Sequence, residues 1–231
     1  MGKPVFFSSR TNEALTFRIL KLPLIMLLLC VFSANILAEY DHSLRIDQNL
    51  NCAIDDHFQL LFYMFQQINK NVSDYNYLEL GTGLQYQTAL QWLSFLVYYQ
   101  QSFSRDDENN WLLEQKPSIN LNTSAILSHF KFTNQLRYEF RIMPDWHDYR
   151  MKNSLVISLH DIFLQPYTGW ELYYEGHDRA FMLNRVKFGL GKNVYKSINL
   201  GMYYRIDFNN IGNQWRLKRH LIGLQVTFKY K

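Results

Sequence analysis

Cysteine is scarce in this chain, and no cluster of metal ligands accompanies it. The sequence has two cysteines, Cys30 and Cys52. Cys30 lies in an N-terminal segment that we predict to be removed, so Cys52 has no internal disulfide partner, and one thiol without other ligands does not form a zinc site. The pattern excludes a disulfide scaffold and predicts neither a metal nor a cofactor.

Long apolar runs and an excess of one charge are also lacking. Mean hydropathy is −0.25, which excludes a bundle of membrane helices. Lys and Arg number 24 against 20 Asp and Glu, and no basic block favours nucleic acid as a partner. Two Gly-x-Gly pairs, at Gly81 and Gly189, are not phosphate-binding loops, because no helix is expected to follow them.

The sequence is rich in aromatic residues, and apolar and polar residues alternate along several long segments. Aromatics make up 16% of the chain, as in proteins whose rings lie at membrane interfaces. Between Ser197 and Asp207, apolar residues alternate with polar ones, and Phe130–Ile142 repeats the pattern with Arg137, Glu139 and Arg141 on its polar face. Long strands with one charged face fit a closed barrel that is apolar outside and polar inside.

The N-terminus has the features of a secretory signal peptide. An apolar run, Leu22–Leu29, follows a basic region, and Ala38 is a suitable cleavage position. We predict that residues 1–38 are removed and that export leads to the bacterial outer membrane. The alternative is an uncleaved anchor over Leu22–Ala38, which is close to the lower length limit for a membrane span. Residues 39–56 are weakly patterned and are predicted to form a periplasmic lead-in.

Residues 57–231 are predicted to form the barrel domain. The fold class is all-β, an antiparallel up-and-down transmembrane β-barrel of about ten strands, with eight or twelve possible. An even number returns both chain ends to the periplasm, and Pro117 indicates a bulge or break in the fourth strand. The candidate strands are His57–Ile68, Tyr75–Gln87, Ala89–Phe103, Trp111–Asn122, Phe130–Ile142, Arg150–Ile162, Thr168–Glu175, Phe181–Lys192, Ser197–Phe208 and Trp215–Tyr230.

The inward faces of these strands carry ionisable residues of both signs. Because buried charges are tolerated when they are paired, we interpret them as an ion-paired network that keeps the barrel rigid. The alternative is a narrow pore or a ligand cleft. The predicted lumen network consists of Glu79, Glu114, Lys116, Arg137, Glu139, Arg141, Lys152, His160, Glu171, Glu175, Arg185, Lys187, Arg205 and Asp207.

No convincing catalytic constellation is present, so we predict that the protein is not an enzyme. Ser158 and His160 share a strand face and are the only candidates for a nucleophile and a base. The adjacent Asp161 is not expected to assist, since neighbouring strand residues face opposite sides.

The last strand resembles the C-terminal signal read by the barrel-assembly machinery, a Gly followed by alternating apolar residues. Those residues are Gly223, Leu224, Val226 and Phe228. Outer-membrane lipid and the assembly machinery are therefore the predicted partners.

Four further motifs recur along the predicted strands. They are an Arg-x-Glu-x-Arg strand at 137–141, a Glu-bearing strand at Trp170-Glu171-Leu172-Tyr173, Arg185 followed by Gly189-Leu190-Gly191, and Trp111-x-x-Glu114-x-Lys116. Together they resemble the bacterial domain-of-unknown-function family 2490, in which the upstream Trp/Glu element has Arg where this chain has Lys116. The resemblance extends over roughly Asp56 to Phe228, and it implies an outer-membrane barrel without an assigned activity.

The sequence predicts a non-enzymatic outer-membrane barrel of unspecified role with a polar, ion-paired lumen. Three alternatives stay open: a narrow pore, a lipid-modifying outer-membrane enzyme, and a soluble periplasmic barrel that carries an apolar ligand.

Overall fold

The computed structural model describes residues 42–69, 74–106, 108, 110–144 and 146–230. This part of the chain folds into eleven strands. They are β1 (His42–Ala53), β2 (Phe58–Asn69), β3 (Asp74–Gln87), β4 (Leu93–Arg105), β5 (Trp111–Leu127), β6 (Phe130–Ile142), β7 (His147–Leu159), β8 (Gln165–Glu175), β9 (Ala180–Tyr195), β10 (Ile198–Ile211) and β11 (Gln214–Tyr230).

The strands form one closed barrel. Each strand pairs antiparallel with the next, and β1 pairs in parallel with β11. With an odd number of alternating strands, the first and last run in the same direction, which is why the closing pair is parallel. Closure leaves no sheet edge with unpaired backbone donors and acceptors.

The eleventh strand comes from the segment that the sequence analysis assigned to a periplasmic lead-in. β1 lies within residues 39–56, so the prediction of ten strands and of a barrel that begins at residue 57 is corrected. Its outward face includes polar Gln48 between Ile46 and Leu50, which weakens the alternation that identified the other strands. An odd count also places the start of β1 and the end of β11 at opposite rims, not at one rim as predicted.

The observed strands resolve two local ambiguities. β4 is apolar on both faces, and the structure turns Phe95 and Val97 outward and buries Leu96. Pro117 produces no bulge: β5 continues through it, although β5–β6 pairing is interrupted between Gln115 and Ser118. The interruption follows from the missing amide hydrogen of proline.

The connections between strands are short at both rims. Gly212 and Asn213, both with positive φ, form the two-residue turn between β10 and β11, where a longer loop over 209–214 was predicted. In the β1–β2 turn, the carboxylate of Asp55 accepts hydrogen bonds of 2.7 Å from the backbone amides of His57 and Phe58. These two bonds hold the pKa of Asp55 below its usual value.

The two faces of the barrel differ in polarity in the way that the alternation predicts. Large apolar side chains are exposed around the exterior, including Leu84, Val97, Ile119 and Ile222, whereas Glu79, Lys116, Glu139 and Asp207 are buried inside. The described residues include no helix with the length and hydropathy needed to cross a bilayer.

Tyrosine rings cover glycines on the inner surface. At each of these positions the glycine lies opposite a tyrosine on the neighbouring strand, and a Cβ atom there would overlap the ring. Such pairs fix strand register and shield glycine backbone from water. The pairs are Tyr63 with Gly81, Tyr98 with Gly83, Tyr167 with Gly189, and Tyr203 with Gly223.

Candidate functional site in the barrel lumen

Most of the residues predicted for the lumen network do lie in the lumen. Thirteen of the fourteen are on inner strand faces of the described barrel; His160 is not. Together with Arg45, Asp47, Arg150 and Arg219, the thirteen separate into two groups, which we call the balanced cluster and the basic cluster.

The balanced cluster lies on β3 to β8 and contains equal numbers of cations and carboxylates. Consecutive members are in contact, so that the cluster forms a continuous chain of ion pairs. Its cations are Lys116, Arg137, Arg141 and Arg150, and its carboxylates are Glu79, Glu114, Glu139 and Glu175.

Glu139 and Glu79 are the most enclosed carboxylates of the balanced cluster. Glu139 accepts a bond of 2.7 Å from Arg150 Nε and one of 3.2 Å from Arg137 Nη1. Glu79 pairs with Lys116 and accepts a bond of 2.7 Å from the Tyr77 hydroxyl. Each buried charge therefore has an opposite charge and further hydrogen bonds, the condition under which buried ions are tolerated.

The basic cluster occupies the opposite wall, on β1 and β7 to β11. Asp207 is fully buried and contacts three arginines. Its Oδ1 lies 2.8 Å from Arg205 Nε and its Oδ2 lies 2.9 Å from Arg219 Nε. The cations of the cluster are Arg45, Lys152, Arg185, Lys187, Arg205 and Arg219, and its carboxylates are Asp47, Glu171 and Asp207.

The remaining carboxylates of the basic cluster are shared in the same way. Glu171 Oε1 lies 3.2 Å from Lys152 Nζ, and Arg185 Nη1 lies 3.6 Å from Glu171 Oε2. Asp47 pairs with Arg45 at 2.6 Å and accepts a bond of 2.7 Å from the Tyr203 hydroxyl. All three carboxylates are thus already engaged by neighbouring groups.

The lumen is not completely filled by these side chains. A cavity of about 790 Å³ runs between the two clusters. Among the described residues that line it, twelve are lysine or arginine and six are aspartate or glutamate. Exposed Arg105 and Lys218 belong to the lining and lie near the ends of β4 and β11 at the same rim, so the cavity reaches the surface there.

His160 lies beyond the end of β7, in the connection to β8, and does not join the lumen network. Its Nδ1 contacts the carboxylate of Asp161, and its Nε2 lies 3.2 Å from the carbonyl oxygen of Ser128. The expectation that His160 and Asp161 face opposite sides is wrong, because the strand has ended and Asp161 has a positive φ. Both ring nitrogens are occupied, which leaves neither for the hydroxyl of Ser158.

Sequence reasoning missed four members of the two clusters. Arg45 and Asp47 lie on β1, which was not recognised as a strand. Arg150 shares the parity of Lys152 on β7, and that alternation was a sufficient signal to include it. Arg219 shares the inward parity of Leu221 and Gly223 on β11, so alternation was a sufficient signal for it as well.

The residues predicted to form a C-terminal assembly signal lie on β11. Gly223 faces inward beneath Tyr203, whereas Leu224 and Phe228 are exposed on the exterior. The predicted cleavage position, Ala38, lies outside the described residues. No group of three or more His, Cys, Asp or Glu side chains is arranged to hold a metal in the described part of the chain.

Fold and lumen together define a closed β-barrel with an apolar exterior and a charged interior. The chain belongs to the family described as protein of unknown function (DUF2490), which matches residues 46–218. The family resemblance predicted from the sequence is thereby confirmed. No curated protein matches the chain.

A solved structure matches part of the chain. The anion-selective porin from Comamonas acidovorans is 12% identical to this chain, with a TM-score of 0.39. The match covers 75% of this chain and 55% of the porin, so the chain spans about half the length of that structure. This similarity is too low to support an inference about activity.

Proposed function

We propose that this protein is an outer-membrane β-barrel that crosses the membrane with its strands. The observation that carries the proposal is the exposed apolar surface around a closed barrel, with Leu84, Val97, Ile119, Met202 and Ile222 among its members. In water such a surface is unfavourable, whereas in lipid it is the required exterior. Strands of 11 to 17 residues are long enough for a tilted crossing.

Within the barrel we propose a structural role for the balanced cluster and no catalytic role for the lumen. The ion pairs of Glu79, Glu114, Glu139 and Glu175 link five strands, β3 and β5 to β8, and favour one register. No Ser–His contact supports a lipid-modifying enzyme, because His160 is engaged by Ser128 and Asp161. The charged cavity also disfavours the alternative of a carrier for an apolar ligand, since an apolar guest would desolvate those charges.

Membrane fractionation with a heat-modifiability gel tests the proposal. Full-length protein expressed in a Gram-negative host is expected in the outer-membrane fraction, with a mobility that changes on boiling because the closed barrel resists detergent until it is heated. Recovery in the soluble periplasmic fraction would contradict the membrane location and would reassign the apolar exterior to another partner.

A second candidate function, a narrow pore, is favoured by the cavity of about 790 Å³ that opens near Arg105 and Lys218. Purified protein in planar lipid bilayers would then show discrete conductance steps. Because cations outnumber carboxylates in the lining, the reversal potential in a salt gradient should indicate a preference for anions. Silent bilayers that contain folded, heat-modifiable protein would exclude the pore and retain the barrel.

A further inference from the structure

The two halves of the lumen differ in charge balance. The balanced cluster contains four cations and four carboxylates, whereas the basic cluster contains six cations and three carboxylates among the described residues. Each carboxylate of the basic cluster is already shared between neighbours. An uncompensated buried cation is unfavourable, so the basic cluster favours a counter-ion in addition to the three carboxylates that the described residues supply.

Lys187 is the member with the weakest compensation. No carboxylate lies within 4.0 Å of its ammonium in the described structure, and its cross-strand neighbour on β10 is another cation, Arg205. Like charges placed directly opposite each other destabilise a sheet. Its nitrogen lies instead above two rings, 5.7 Å from the centre of Tyr167 and 5.4 Å from that of Tyr203.

An unused hydrogen-bond donor lies beside Lys187. The hydroxyl of Tyr167 is buried and has no hydrogen-bond partner among the described residues. Buried donors are normally satisfied, so an unsatisfied hydroxyl beside an unpaired ammonium indicates room for an acceptor. Gly169, opposite Lys187 on β8, leaves that space open, because a Cβ there would lie 3.2 Å from Lys187 Cε.

We propose that the basic cluster binds a small oxyanion, of the phosphate or carboxylate class, between Lys187 and Arg205. The Nε and Nη2 of Arg205 donate to Asp207 over 2.8 and 3.1 Å, so the N–H groups of its Nη1 are the donors left for an oxyanion, and the ammonium of Lys187 supplies a point charge. The hydroxyl of Tyr167 is the additional donor. This inference goes beyond the proposed function, since it concerns the folded barrel in detergent as well as in a membrane.

The route to the site is the cavity. Arg105 and Lys218, both exposed, stand where the cavity reaches the rim, and the basic wall continues inward from them. A cleft lined by one sign of charge concentrates ions of the opposite sign. An oxyanion therefore enters from the rim at which β4 ends and β11 begins.

Calorimetric titration of the detergent-solubilised barrel with inorganic phosphate tests the inference, with chloride at matched ionic strength as the reference. We expect saturable binding of phosphate to the wild-type protein. Lys187→Met should weaken it by about tenfold or more, the loss expected for a charge-assisted bond. Lys196→Met removes an equal charge from the exposed β9–β10 turn and should leave binding unchanged.

Thermal stability supplies a readout that separates binding from folding. Without phosphate, Lys187→Met should unfold at no lower temperature than the wild type, because the change removes repulsion with Arg205. Phosphate should raise the unfolding temperature of the wild type and not that of the variant. The inference is overturned if the wild type shows no saturable phosphate binding, or if Lys187→Met binds phosphate as tightly as the wild type. A Lys187→Met variant that unfolds at a lower temperature than the wild type in the absence of phosphate would overturn it as well, because the lysine would then stabilise the fold without an anion.

Failure of the membrane proposal is distinguishable from failure of the proposal that the basic cluster binds an oxyanion. A barrel recovered in the soluble fraction that still binds phosphate through Lys187 would contradict the location and support the site. A barrel in the outer membrane that binds no phosphate would support the location and contradict the site.

Discussion

Asp207 and Arg219 face each other across β10 and β11, with Arg219 Nε 2.9 Å from Asp207 Oδ2, immediately beside the register shift between Asp207 and Phe208. Arg219 is directly opposite Asp207 in the regular part of the β10–β11 register, and Arg205 contacts the same carboxylate. Arg185 is directly opposite Asp207 on β9, so one buried acid is shared by three arginines from three strands.

Asp207→Asn should therefore destabilise the barrel strongly. The change keeps the shape of the side chain but leaves three guanidinium groups without their buried counter-charge, and breaking such an arrangement costs about 3–5 kcal/mol. Urea unfolding of the detergent-solubilised protein measures the effect. Asp161→Asn, at an exposed position of positive φ that asparagine tolerates, is the control and should be near neutral. Equal stability of the two variants would refute the central role of Asp207.

The tyrosine–glycine pairs give a steric prediction. Gly223→Ala places a methyl group in the ring of Tyr203, so we expect a loss of about 1–3 kcal/mol. The matched control is Gly201→Ala on β10, where the nearest atoms lie 3.6 Å away in ordinary contact. Heat-modifiability at graded temperatures compares the two variants. If Gly223→Ala unfolds at the same temperature as Gly201→Ala, the ring of Tyr203 does not lie over Gly223 as the structure shows.

The sequence predicts much of this fold because strand alternation is a local property. β6 and β10 show it almost without interruption, and the exposed faces of both strands agree with the prediction. β1 was not predicted as a strand because its outward face contains the polar residue Gln48. Its place in the barrel also depends on pairing with residues of β11 that lie more than 170 positions later in the chain. Non-local pairing of this kind leaves little trace in a short window of sequence.

The site was predictable only as a set of inward charges. Parity identified Glu139, Lys187 and Asp207, but not which cations share which carboxylates. Those pairings depend on the register between strands. His160 lies outside the lumen because β7 ends at Leu159, before the predicted end at Ile162. The charge imbalance between the two walls is likewise visible only after the strands are placed around the barrel.

Closure by β1 can be tested by crosslinking. With Cys30 and Cys52 replaced by serine, cysteines at Ile46 and Leu224 should form a disulfide on oxidation, because these residues are directly paired in the β1–β11 register. Non-reducing electrophoresis detects the crosslink.

The control for this experiment keeps one cysteine in place. Cysteines at Ile46 and Leu200 should remain reduced, since Leu200 lies on β10 and pairs with Val226 and Lys192, not with β1. A crosslink in the control alone, or in neither protein, would contradict the eleven-stranded closure.

The carboxylate of Asp55 in the β1–β2 turn should make the stability of the protein depend on pH. Its pKa is lowered in the folded state by the amides of His57 and Phe58, so its contribution to stability is present above the unfolded pKa of about 3.9 and is lost as pH falls through the folded value. The stability difference between wild type and Asp55→Asn should thus be largest near neutral pH and vanish in acid. Urea titrations at several pH values measure it. Asp56→Asn, in the same turn, is the control and should not reproduce the trend.

The apolar exterior provides the sharpest distinction between lipid and water as the surrounding medium. Ile119 lies near the middle of β5 with 61% of its side chain exposed. In a bilayer, Ile119→Arg should cost about 2–4 kcal/mol, because arginine is then at midplane depth, whereas Tyr195→Arg at the end of β9 should cost about 0–1 kcal/mol. Unfolding titrations in lipid vesicles give both values. In a soluble barrel an exposed arginine is well solvated at either position, so equal and small effects of the two substitutions would count against a membrane-spanning barrel.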